Sequence, residues 1–219
     1  LERIRYTTSH PKDFTNDLIE AHVKCEKLMP LLHLPVQSGS NKILREMNRD
    51  HTIEEYQDII LKLKEKKPSM EFSSDFIIAY PGETEVDFEK TILLMKKIKF
   101  INSYSFIFSA RPGTPAANFK KVDTEIAKKR LINFQSLAED IKKTYRKKTI
   151  NSLVKVLFEN KIKNEKKYFG RDEHYNSVIV SSDENLTGKI RMIKVTECSR
   201  TTLFGKLILE INKNFVLLT

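Results

Sequence analysis

Leu34-Pro35-Val36-Gln37-Ser38-Gly39-Ser40 is an apolar, strand-like run that breaks into a polar, glycine-containing turn, and a helical pattern follows from Asn41 to Met47. The same grammar occurs three more times in the first half of the chain. Ile4 to Thr8 reads as a strand ending in Ser9-His10-Pro11, and Phe72 to Tyr80 as one ending in Pro81-Gly82-Glu83. Tyr104 to Phe108 reads as a strand closed by Arg111-Pro112-Gly113-Thr114-Pro115. Between these runs, Phe14, Leu18, Ile19 and Val23, and later Phe88, Ile92, Met95 and Ile98, recur at helical spacing. Thr52 with Glu55 forms a capping-box signal, Pro68 stops that helix, and Thr84 suits an N-cap. Strands alternating with helices of this length argue for an α/β class, with a parallel sheet built from βα units.

The texture changes twice further on. Lys120 to Lys148 is a long basic helical pattern with Ile126, Leu131, Phe134, Leu137, Ile141 and Tyr145 toward one side. After about Asn151 come short strands: Leu153 to Phe158, Tyr168 to Arg171, Ser177 to Val180, Lys189 to Val195 and Leu203 to Leu209. Five short strands separated by turn residues suggest a small antiparallel β-barrel resembling an OB-fold. The expected organisation is a βα-barrel portion over 1–119, the long basic helix over 120–150, the small barrel over 151–211 and a hydrophobic tail over 212–219.

The 219 residues carry a net charge of +10, which favours a polyanionic partner, although a lysine-rich composition alone would give the same number. Lys155, Arg171, Lys189, Arg191 and Lys206 are the candidate RNA contacts; several of them alternate with apolar residues, predicting one basic and one buried face. No run approaches the roughly 20 apolar residues that span a bilayer. The first residues resemble neither a signal peptide nor a natural start, which suggests that the sequence begins inside a larger design. The two cysteines, Cys25 and Cys198, are far apart, lack a CxxC partner and cannot hold a metal cluster. Without a disulfide framework, a reducing cytoplasm is the expected compartment.

In a βα-barrel the functional groups gather at the C-terminal ends of the strands. Those ends supply Ser9 and His10, Gln37 and Ser38, Pro81, Gly82 and Glu83, and Arg111. Such amides, hydroxyls, a carboxylate and a guanidinium suit a ligand with a sugar, a base and charged groups. No nucleophile–base pair, HExxH or Walker loop is present, so neither a catalytic side chain nor a metal ligand is assigned. Asp75 lies inside an apolar strand; it is either an inward-facing ligand group or bonded to Ser73, Ser74 or a neighbouring strand. His33 poses the same choice between a satisfied core histidine and a functional one.

Arg3 to Pro11, Leu32 to Ser40, Ser74 to Ile78 with Pro81 to Thr84, and Tyr104 to Ala116 together resemble the radical-SAM methylthiotransferases, especially the MiaB-type tRNA enzymes. The segment from about Asn151 to Ile211 is similar to that family's tRNA-binding TRAM domain. The resemblance implies S-adenosylmethionine and two [4Fe–4S] clusters as cofactors. It also implies a reaction that adds a methylthio group to C2 of an isopentenylated adenosine beside the tRNA anticodon. Gln37 and Ser38 then fall at the ribose and methionine portions of S-adenosylmethionine, and Ser74 to Tyr80 with Pro81, Gly82 and Glu83 at its adenine. Ser9, Asp75 and Arg111 complete the cofactor-facing set. The family's CxxxCxxC triad and its other cluster cysteines are absent, and neither Cys25 nor Cys198 matches them. The expectation is therefore the later barrel units plus a TRAM domain, inactive alone, with tRNA and a separately encoded N-terminal half as partners. A non-catalytic RNA-binding fragment is the alternative reading.

Overall fold

The computed structural model describes residues 1–7, 10–211 and 214–217, with side chains as far as Ile208. The chain divides into two compact units, residues 1–142 and 143–219. The division falls inside the helix Thr124–Thr149, α5. Among the described residues no helix is long and apolar enough to cross a membrane.

The first unit is built on three parallel strands, β1 (Leu31–His33), β2 (Glu71–Ile78) and β3 (Asn102–Ile107), in the order β1-β2-β3. Side chains alternate across a strand, so each strand has two faces. Leu32, Phe72, Phe76 and Ile78 are fully buried or nearly so, beneath the helices α3 (Ile53–Lys66), α4 (Glu85–Ile98) and α5. Phe76 lies 4.6 Å from Phe134 of α5, ring centre to ring centre, and 5.5 Å edge-on from Phe100. Burial of each such side chain contributes roughly 1.5–3 kcal/mol. The opposite face of the sheet carries His33, Asp75, Ile77, Tyr104 and Phe106.

Both capping signals form. Thr52 accepts from the Glu55 amide while Glu55 accepts from the Thr52 amide, starting α3. Thr84 begins α4 the same way, with Asp87 as the reciprocal partner. The expected strand Leu31 to Val36 is interrupted, because Pro35 has no amide to donate to the ladder. The ladder stops at His33 and resumes as an isolated bridge between Gln37 and Phe76. Ser74 fills the gap: its hydroxyl accepts from the Val36 amide and donates to the Leu34 carbonyl, each at 2.9 Å.

The expected strand Ile4 to Thr8 does not form as such. Only two isolated parallel bridges appear there, Ile4 to Leu28 and Thr7 to His33, while Thr8 and Ser9 lie outside the described residues. Arg3 and Arg5 flank the first bridge with polar side chains, where a continuous strand would need a covered face.

The second unit is a closed barrel of β4 (Leu153–Lys161), β5 (Lys167–Arg171), β6 (Ser177–Ser181), β7 (Ile190–Cys198) and β8 (Thr202–Ile211), in the order β6-β5-β4-β7-β8. Its core holds Val156, Phe158, Tyr168, Val178, Val180, Ile193, Val195 and Leu203. The pairing is antiparallel except where β6 meets β8, which is parallel. The barrel is therefore mixed rather than wholly antiparallel, for a reason of parity. Five strands that alternate in direction around a ring return with first and last pointing the same way. Residues 214–217, in the stretch expected to be a tail, form β9 (Asn214–Leu217), antiparallel to β8.

Gly205 sits where β8 crosses β7 closely: a Cβ there would stand 2.5 Å from both the Lys194 carbonyl oxygen and the Ile193 side chain. Gly205→Ala is expected to destabilise the second unit by about 1–3 kcal/mol through backbone displacement, read as a lower urea midpoint by circular dichroism.

Candidate functional site

At the C-terminal ends of β1 and β2 the chain takes conformations that side chains resist. Gln37 has φ 73° and Ala79 φ 59°, both in the left-handed region, where a non-glycine residue costs about 1–2 kcal/mol. Gln37 holds this shape because its amide donates to the Asp75 carbonyl and its own carbonyl accepts from Ile77, each at 2.9 Å. Non-glycine strain at two neighbouring strand ends is the pattern of a built site.

The loop after β1 then presses against α4. A Cβ on Gly39 would lie 2.5 Å from the Lys90 carbonyl oxygen and from Thr91 Cα, so this contact requires glycine. The Gly39 amide donates to Thr91 Oγ1 at 2.9 Å, and the Ser38 hydroxyl stands 3.4 Å from the same oxygen. Ser40 donates to Asp87 Oδ1 at 2.7 Å. Asp87 Oδ2 accepts from the Thr84 hydroxyl at 2.7 Å and from Lys42 Nζ at 3.3 Å. Lys42 in turn donates to the Gly82 carbonyl at 2.9 Å, joining the two loops. Burial works against ionisation of Asp87, yet the bonds from Thr84, Ser40 and Lys42 outweigh it and hold this carboxyl well below its usual range.

Glu83 is fixed from the other side. The buried guanidinium of Arg130 donates to the Glu83 carbonyl at 3.1 Å and to the Glu85 carboxylate at 2.9 and 3.1 Å, and stacks over Phe88. The Glu83 carboxylate is 3.7 Å from that guanidinium, and its Oε2 makes no hydrogen bond among the described residues. Burial pushes the Glu83 carboxyl up to about 7, against the pull of Arg130.

The structure thus gathers Gln37, Ser38, Gly82 and Glu83 into one hydrogen-bonded pair of loops, with Pro81 buried between Tyr80 and Gly82. Asp75 sits apart, on the open face of the sheet, with its carboxylate 3.5 Å from His33 Nε2. Arg111 is exposed after β3, its carbonyl closing the turn with Thr114, and Ser9 lies outside the described residues. Sequence reasoning missed Asp87, Lys42, Thr91 and Arg130. Asp87 was detectable as the third residue after Thr84, whereas Arg130 is one cation among many in a basic helix.

In the second unit, strand register sorts the candidate RNA contacts. Lys155 stands opposite Met192, and Lys194 directly opposite Lys206, so these cations share the outer face. Directly opposed like charges weaken a sheet, and among the described residues neither Lys194 nor Lys206 makes an ion pair. Arg191 stands opposite the buried Val156, and so has inward parity; its tip emerges at the rim to pair with Glu184, which also holds Lys189. The expected single basic face therefore separates into an outer lysine cluster and a rim pair. Arg171 is packed between Phe169 and Tyr175, 5.1 and 4.3 Å from their ring centres. A groove of about 1010 Å³ is lined by Lys155, Arg191 and Lys206 together with Met192 and Phe204.

Residues 1–95 match the Radical SAM superfamily and residues 147–208 the TRAM domain. The fold agrees with a solved structure, coproporphyrinogen III oxidase (HemN) from Escherichia coli, described as a Radical SAM enzyme. The TM-score is 0.51 at 13% identity, covering 75% of this chain and 45% of that one. The class is thus a radical-SAM βα unit joined to a TRAM barrel. The chain is 54% identical over 209 residues to tRNA-2-methylthio-N(6)-dimethylallyladenosine synthase of Pelagibacter ubique (strain HTCC1062), covering 94% of this chain and 46% of that protein. The corresponding synthase of Wolbachia pipientis wMel is 45% identical over 208 residues, covering 94% and 47%. The chain spans about half the length of the curated relatives it matches. Over this span it is similar to the C-terminal half of the MiaB-type tRNA methylthiotransferases.

That family implies S-adenosylmethionine and iron–sulfur clusters. Gln37, Ser38 and Glu83, at the polar strand ends, are all largely buried within the loop pair. The residues present do not fit a cluster. Cys25 and Cys198 belong to different units, and no set of three or more His, Cys, Asp or Glu gathers as a metal site among the described residues.

Because Glu83 holds its proton more tightly folded than unfolded, its contribution to stability is full below about 4.5 and is lost as pH rises through about 7. Glu83→Gln, which stays neutral, should match wild type near pH 5. It should gain on the order of 3 kcal/mol over wild type by pH 8, measured as urea midpoints across that range. His22 and His51 shape the acid flank: burial pushes both down to about 4, so stability falls as pH drops below 6.5.

Proposed function

We propose that this chain is the cofactor-wall and tRNA-binding portion of a tRNA methylthiotransferase, which adds a methylthio group to C2 of N6-dimethylallyladenosine. The observation that carries this reading is the joining, in one chain, of the locked loop pair after β1 and β2 to a lysine-faced TRAM groove. Close relatives named for that reaction support it.

The aromatic C2–H bond is too inert for acid–base chemistry, and S-adenosylmethionine supplies the radical chemistry when bound. The chain's own residues bind and orient. Gln37 and Ser38 present polar groups to the ribose and methionine portions of the cofactor, and the turn Pro81 to Glu83 offers backbone to its adenine. Lys42, Asp87 and Arg130 hold those loops still, so binding does not have to order them. Lys155, Lys194 and Lys206 take RNA phosphates, relieving the repulsion between opposed lysines, and Phe204 offers a stacking surface in the same groove.

With cluster ligands lacking among its own residues, the purified chain should show no tRNA methylthiolation after iron–sulfur reconstitution, assayed by mass spectrometry of digested tRNA. Turnover by the chain alone would overturn this. A second reading, a tRNA-binding fragment without chemistry, is favoured by the two-cysteine count. A complementary segment bearing the cluster cysteines, added in trans, separates the two: restored methylthiolation supports the split enzyme, and its absence supports the binding fragment.

Both readings require tRNA retention. Gel shifts between about 50 and 200 mM salt should show affinity falling steeply with ionic strength. Changing Lys155, Lys194 and Lys206 together to Gln should weaken binding at least tenfold and shrink the log–log salt slope by about two to three. An unchanged slope would place the phosphates elsewhere.

A further inference from the structure

The open face of the three-stranded sheet takes no part in the loop network around Asp87. It is polar at one end and apolar at the other. His33 is held with Nδ1 2.8 Å from Ser73 Oγ and Nε2 3.5 Å from Asp75 Oδ2, and its ring meets Tyr104 edge-on at 6.2 Å. Two residues along each strand, the character changes: Asp75 is registered with Tyr104, and Ile77 with Phe106. Tyr104 and Phe106 are 56% and 61% exposed, whereas Phe72, Phe76 and Phe100 beneath the same sheet are at most 1% exposed. Residues two apart on a strand share a face and lie roughly 6.6 Å apart. The face therefore presents two aromatic rings in a row, a carboxylate–imidazole pair beside the first and an aliphatic side chain beside the second.

We infer that this face binds the N6-dimethylallyl adenine base of the RNA substrate: Tyr104 stacks on the purine, Asp75 accepts the N6–H, and Phe106 with Ile77 covers the five-carbon tail. The inference rests on the proposed function for the identity of the base. The chemistry matches in each part. Alkylation leaves one hydrogen on N6, and the carboxylate of Asp75, one third exposed, is an acceptor fixed by His33. The tail leaves the ring from the same nitrogen, so it runs along the strand direction onto the apolar pair. The adenine of S-adenosylmethionine carries no such tail and would leave Phe106 and Ile77 uncovered. An apolar protein surface would strip water from His33, Ser73 and Asp75 without offering partners, which costs rather than stabilises.

Calorimetric titration of the 219-residue chain with N6-dimethylallyladenosine, adenosine and S-adenosylmethionine tests the inference. N6-dimethylallyladenosine should bind at least tenfold more tightly than adenosine. Phe106→Ala should abolish that preference while leaving adenosine unchanged. Tyr104→Ala should weaken both nucleosides tenfold or more, with Tyr104→Phe restoring them. Both positions are exposed, so the variants should melt as the wild type does. Equal affinities for the two nucleosides, no binding of either, or a preference that survives Phe106→Ala overturns the inference. So does an equal loss of S-adenosylmethionine binding in the aromatic variants, which would make the face a cofactor surface. The tRNA gel shift depends on lysines of the other unit, so failure here leaves the proposed function standing, and failure there is seen independently of this face.

Discussion

The buried carboxylate of Asp87 is the constraint on which the first unit's site depends. It caps α4 through Thr84, receives Ser40 from the loop after β1, and holds Lys42, which reaches across to Gly82 in the loop after β2. A carboxylate in that position is costly to bury, and the hydrogen bonds from Thr84 on one segment and from Ser40 and Lys42 on another are what keep it ionised. Because the same two oxygens serve both loops, neither loop can shift without leaving a buried charge short of partners. The left-handed turn at Gln37 persists because its amide and its carbonyl are both bonded to β2.

Glu83, two residues before α4 begins, shows the opposite balance. Its side chain is as little exposed as that of Asp87, but desolvation weighs more on it and fewer donors reach it, so its carboxyl rises where that of Asp87 falls. Arg130 compensates only in part, since its strongest bonds go to Glu85 and to the Glu83 backbone. The turn is thereby fixed mainly through main-chain atoms, leaving the side-chain carboxyl short of donors.

In the second unit, closure governs everything else. Five strands leave no free edge between β6 and β8, and the parallel seam follows from the odd number. Closure also sets the register that brings Lys194 opposite Lys206. A sheet stabilised by its core alone would have no use for that pair. The repulsion is tolerable because the core of Val156, Phe158, Ile193 and Val195 is complete.

The alternation of apolar runs and helical stripes determined the parallel unit from sequence alone, because period-2 and period-3.6 patterns are local. The same held for the caps at Thr52 and Thr84, for the helix α5 and for the five strands of the barrel. The polar strand ends, Gln37, Ser38 and Glu83 among them, were legible because a βα unit always delivers them to the same edge. What the tertiary structure alone decided was every relation between distant segments. That Ser74 would bridge the break made by Pro35, that Asp87 would tie two loops, and that Arg130 would reach Glu83 across 47 positions depends on packing and not on spacing. Parity likewise split Arg191 from Lys194, since which residues face outward is fixed by strand register across a closed barrel. Local chemistry writes the elements into the sequence; the pairing of charges and hydrogen-bonding groups exists only once those elements meet.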